Sequence, residues 1–163
     1  MDVAIRSLHL IAAAVWAGGL VFLGLAAGVA RRTIPPGARI AFFRVLGRRF
    51  AAVAIAAAAL LAATGTDMAS DHLASWSALT DTGYGRTLLA KTILFALALV
   101  GAAVHSLVLG PRLGRLREAL LTTPEDPELL ARLRRTAAVS GIVSALMLAQ
   151  TIAILVLAAD LVA

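Results

Sequence analysis

The sequence predicts an all-α integral membrane protein, a bundle of four transmembrane helices. Three observations predict it. Hydrophobic residues make up 61% of the 163-residue chain, whereas a soluble domain of this size holds about half or less. The apolar residues gather into four runs, each long enough to cross a bilayer, which takes ~20 residues of helix. Most of the arginines sit between those runs and not within them. Lipid offers backbone groups no hydrogen-bond partners, so each run is read as a helix that satisfies its own.

The first helix is expected over about residues 3–30. Gly28-Val29-Ala30 loosely resembles a signal-peptide cleavage site. The apolar run is too long for a cleaved leader and Asp2 weakens a positive start, so the helix is expected to be retained. The second is expected over about 38–69. Pro35-Pro36-Gly37 breaks the chain before it, and Ala38 to Phe50 alternates apolar residues with arginine at helical spacing. Ser70-Asp71 is placed to cap a short interfacial helix running to Trp76. Asp81-Thr82-Gly83-Tyr84-Gly85 reads as a turn before a third helix at about 86–110. For the fourth, about 124–160, Thr123 is the expected N-cap, with Pro124 at the first position and acids in the first turn. All four belong to a single domain.

Orientation follows from charge. Arg31, Arg32, Arg39, Arg44, Arg48 and Arg49 lie between helices one and two or on their flank. Arg112, Arg115, Arg117, Arg132, Arg134 and Arg135 lie between helices three and four. The opposite side holds Arg6, Arg86 and Lys91 against Asp2, Asp67, Asp71, Asp81 and Asp160. The positive-inside rule puts the arginine side in the cytoplasm. Both termini then face outward, N-out and C-out, across a bacterial inner membrane. The same distribution argues against a nucleic-acid partner despite the net charge of +6, because short topology signals supply no basic docking domain. The partners expected are membrane lipids, another membrane subunit or a second copy of the chain.

There is no cysteine, which removes thiolate metal sites and cysteine nucleophiles together. No glycine-rich phosphate loop or paired nucleophile and base is present, so hydrolase and kinase chemistry are not expected. What remains is a small set of costly intramembrane polar residues. His9 lies near the outer end of helix one, with Trp16 on the same face. Lys91 lies at a similar depth in helix three. His105 shares a face with Lys91 but stands roughly 21 Å further along, at a rise of 1.5 Å per residue. One haem therefore cannot take both His9 and His105, although His9 with His72 or Lys91 shares a depth. His9, Asp67, Met68, Asp71 and His72 form an outer constellation; imidazole and thioether suit copper, and carboxylates concentrate cations.

Structural roles compete for the same residues. His9 can bond a neighbouring hydroxyl, and Lys91 can snorkel to the surface. Thr136, Ser140, Ser144, Met147 and Thr151 form a polar, small face of helix four that reads as a packing seam. Gly24 and Gly28 read as small-residue packing.

Leu8-His9-Leu10 followed by Val15-Trp16-Ala17-Gly18-Gly19 resembles the first membrane helix of the copper resistance D (CopD) family. Leu79 to Lys91, with Tyr84-Gly85, Leu88-Leu89 and Lys91, resembles that family's turn and following helix. The alanine-rich stretch ending at Thr64-Gly65 fits as well. The resemblance implies copper uptake or tolerance at an inner membrane, alongside a periplasmic copper-binding protein. Longer members carry further helices before this domain, and the chain corresponds to the domain alone. A second layout is similar: the HemJ-type protoporphyrinogen oxidases, which bind haem b. There His9, Trp16, Gly19 and Lys91 match, and the chain would be a haem-dependent oxidoreductase or electron carrier. A third alternative is a structural accessory subunit, whose bundle packs against other membrane proteins.

Overall fold

A computed structural model describes residues 3–71, 73, 75 and 77–160. They form α1 (Val3–Thr33), α2 (Pro36–Ser70), the single turn α3 (Ala78–Asp81) and α4 (Gly83–Val104). A π-helical turn (His105–Leu109) runs on into α5 (Gly110–Thr122), and α6 (Pro127–Asp160) completes the chain. Among the described residues four continuous helical spans are long and apolar enough to cross a membrane, with α4, the π turn and α5 acting as one. In the most apolar stretch of each span only 6–11% of residues are buried. Leu25, Ile55, Leu107 and Val156 are among the many large side chains left outside, an arrangement that lipid tolerates and water does not.

Two antiparallel hairpins build the bundle: α1 against α2, and α4–α5 against α6. They meet where α1 touches α6 and α2 touches α5. The ring of Trp16 on α1 also meets Phe95 on α4 edge to face, with centroids 6.1 Å apart. Lipid chains are as apolar as leucine, so burial alone does not drive these helices together; close approach does. The buried positions are accordingly mostly small: Ala12, Ala30, Ala57, Ala98, Thr64, Thr136, Ser140 and Thr151.

The ends of the elements explain where the expected boundaries move. The α1–α2 connection is confined to Ile34 and Pro35, and Pro36 opens α2, where a missing N–H costs nothing. The third span does not stop near residue 110. Pro111 cannot donate to the preceding turn, and the chain widens to a π turn, in which the Gly110 N–H reaches the His105 carbonyl. The helix then continues to Thr122. The fourth begins one turn later than expected. Asp126, not Thr123, is its cap: the Asp126 carboxylate accepts the N–H groups of Glu128 (2.8 Å) and Leu129 (3.0 Å). Pro127 then takes the first helical position, while the Thr123 hydroxyl donates back to the Ala119 carbonyl and closes α5.

No helix starts at Ser70, whose hydroxyl donates to the Asp67 carbonyl within α2. The described residues between 71 and 77 are non-helical, Trp76 lies outside the described set, and the short helix forms at α3 instead. Thr82 caps α4 by accepting the Gly85 N–H at 2.9 Å. Gly85 is required there, because a Cβ would run into the Ala78 carbonyl and the Leu79 backbone.

Two packing expectations need correction. Gly24 and Gly28 have open space where a Cβ would stand, so they pack nothing within this chain. The close approaches fall at Gly19 against Phe50, Gly65 against His9 and Gly101 against Met147. On α6, Thr136, Ser140, Met147 and Thr151 form the buried seam as expected. Ser144 is exposed and turns its hydroxyl back to the Ser140 carbonyl. At about 100° per residue it lies roughly 80° from Thr136, at the margin of that face.

Candidate functional site

The site is built from α1, α2 and α4 at the end of the bundle remote from the arginine-rich connections. His9 on α1 is half-buried, and its Nδ1 lies 2.8 Å from the Thr64 hydroxyl on α2. Thr64 is itself buried and sits in an alanine-rich stretch with no competing side chain. Its hydroxyl proton is committed, because it donates to the Leu60 carbonyl one turn earlier. A hydroxyl carries one proton, so towards His9 the threonine oxygen accepts and Nδ1–H donates. The neutral ring therefore keeps its proton on Nδ1 and presents a bare lone pair on Nε2, the arrangement that second-sphere partners impose on metal-binding histidines. Gly65 completes the seat: a Cβ there would stand 3.4 Å from His9 Cε1, so the ring lies directly against the α2 backbone.

Lys91 on α4 is half-buried and within electrostatic reach of His9. The two share a depth, as their positions in the sequence require. Trp16, two turns further along α1, is buried against Phe95 and closes the bundle beneath the site. Asp67, Met68 and Asp71 follow Thr64 on the last turn of α2 or just beyond it; Met68 is half-buried and the two acids are exposed. His72 lies outside the described residues. Among the described residues no group of three or more histidines, aspartates or glutamates stands together to hold a metal ion. His105 is not part of this site. It lies on the π turn against α6, where its Nδ1 is 3.5 Å from Ser140 Oγ.

Thr64 and Gly65 are the residues that reasoning from the sequence undervalued. A signal for them exists, since Thr64 stands about one turn further from the Ile34–Pro35 turn along α2 than His9 does along α1. In an antiparallel hairpin, side chains that lean toward their own helix N-termini close a gap of that size.

Four apolar helical spans, exposed leucines and a few buried polar residues define a multi-pass membrane protein. Its sequence matches the family described as copper resistance protein D over residues 44–157, more than two thirds of the chain. The protein belongs to the CopD family. The match runs from the arginine end of α2 to α6 and so takes in Thr64, Lys91 and His105, while α1 with His9 precedes it. No curated protein and no solved structure matches the chain.

The donors at this end of the bundle are His9 Nε2 and, four residues beyond Thr64, the Met68 thioether, with the Lys91 ammonium acting electrostatically on His9.

Proposed function

We propose that this CopD-family protein receives copper at the end of its bundle where His9 lies and passes it on. The arginine distribution supports a periplasmic position for that end in a bacterial inner membrane. Uptake or tolerance is the physiological setting, with a soluble copper-binding protein as donor or acceptor. The carrying observation is the contact of His9 Nδ1 with a buried threonine hydroxyl that donates to its own helix; this favours the tautomer protonated on Nδ1 and leaves Nε2 to bind a metal. Lys91 beside it weakens the hold on any cation, which suits a point of transfer better than a point of storage. The test is the metal content and visible spectrum of one purified sample. Copper bound under reducing conditions and lost in His9→Ala supports the reading; a protein that takes up no copper at micromolar Cu(I) refutes it.

One observation favours a second reading. An Nδ1-anchored histidine beside a lysine also suits haem b, with His9 Nε2 as an axial ligand and Lys91 pairing with a propionate. A Soret band after expression with haem supplied, absent in His9→Ala, would put that reading first.

A further inference from the structure

The second intramembrane histidine lies one turn from the point where the tertiary structure brings a methionine of α6 against α4. His105 opens the π turn, and π turns inside α-helices gather at functional positions. One turn before it on α4, Gly101 has no side chain, and Met147 of α6 fills that space. A Cβ on Gly101 would stand 2.9 Å from Met147 Cγ and 3.3 Å from its sulfur. Side chains on a helix lean toward its N-terminus. Since α4 and α6 are antiparallel, His105 leans toward the level of Gly101, while Met147 leans toward the level of Ser140. The imidazole and the thioether therefore lean toward one another along the seam. Met147 is 6% exposed and His105 half-buried, so the stretch of seam between them is shielded from lipid. Ser140 Oγ, 3.5 Å from His105 Nδ1, holds the ring on the seam.

Thioether sulfur selects Cu(I) among biological metals, and imidazole binds it too. Cu(I) has a filled d shell and accepts sites with only two or three ligands, so one histidine and one methionine suffice. We infer that His105 and Met147 form a second Cu(I) station, in the half of the bundle nearer the arginines. The inference rests on the copper reading and extends it: His9 receives the ion at one end, and the α4–α6 seam takes it further across. Gly101 is the opening that lets the sulfur reach the seam.

The test is Cu(I) stoichiometry by chelator competition under ascorbate, with X-ray absorption to detect sulfur bound to the metal. The wild-type protein is expected to bind two ions, one of them with a sulfur neighbour. Met147→Leu conserves volume and so keeps the fold; it should lose one ion and the sulfur signal. His105→Ala should lose the same ion, whereas Met68→Leu should keep the sulfur signal and His9→Ala should lose only the other ion. Copper without a sulfur neighbour in the wild type, or two ions retained by Met147→Leu, overturns the inference. A single nitrogen-ligated ion lost with His9→Ala sinks this station and leaves the outer site standing. A single sulfur-ligated ion indifferent to His9→Ala does the reverse.

Discussion

Replacing Thr64 with valine tests the tautomer argument directly. Valine keeps the β-branched shape, so the α1–α2 contact is preserved and only the hydroxyl is lost. Two hydrogen bonds go with it: the one His9 Nδ1–H donates, and the one Thr64 donates to the Leu60 carbonyl. The Leu60 carbonyl remains within the helix ladder, so the loss falls mainly on His9. Leaving a half-buried N–H without a partner costs about 1–3 kcal/mol. The ring is then free to move its proton to Nε2 or to rotate away from Gly65, and either change removes the prepared lone pair. Loss of a second-sphere partner of this kind lowers metal affinity by about 10–100-fold. Cu(I) competition titrations in nanodiscs should show that drop in Thr64→Val, while Thr64→Ser, which retains the hydroxyl, should fall near the wild type. If Thr64→Val binds copper as tightly as the wild type while His9→Ala has lost the outer ion, His9 is a ligand but the threonine does not prepare it.

Other consequences can be checked independently. Lys91→Gln removes a cation that acts electrostatically on His9, so Cu(I) affinity should rise in the same titration, and an unchanged or lower affinity would count against a metal on His9. Gly85→Ala sets a methyl group into the Ala78 carbonyl and the Leu79 backbone, and thermal unfolding in detergent should show a loss of about 1–3 kcal/mol. Gly19→Leu should destabilise the α1–α2 hairpin by overlapping Phe50, whereas Gly24→Leu enters open space and should leave the melting temperature of the monomer unchanged. Periplasm-dependent reporter fusions at either terminus should be active, and a fusion at Thr123, in the connection between α5 and α6, should be silent; the opposite pattern would put His9 on the cytoplasmic side.

How far the site could be read in advance differs from residue to residue. His9 and Lys91 stand out because a titratable group in lipid is costly wherever it sits, and their shared depth follows from counting helical rise. Thr64 is inconspicuous because hydroxyls are common in membrane helices; it matters only through which ring it meets. Met147 lay in a series that was legible as a packing face, but its close approach to α4 depends on the missing side chain of Gly101. Gly24 and Gly28 show the converse. Their spacing is that of a packing motif, yet neither has a neighbour where a Cβ would stand, and the chain makes its close contacts at Gly19, Gly65 and Gly101. Spacing places residues on a common face without saying what that face meets.

The sequence alone determines that this chain makes helices and that four of them are long enough to span a bilayer, because lipid forbids unsatisfied backbone and these features depend only on neighbours along the chain. The arginine pattern likewise carries the orientation argument without reference to packing. Tertiary structure decided which side chains meet: that the proton of Thr64 is spent on its own helix, that Trp16 closes against Phe95, and that Asp126 rather than Thr123 begins α6. It also decided that the third span widens at Pro111 rather than ending there. These outcomes turn on contacts of a few ångströms, between distant helices for Trp16 and Phe95 and within a turn of chain for the others, and a one-dimensional pattern does not contain such distances.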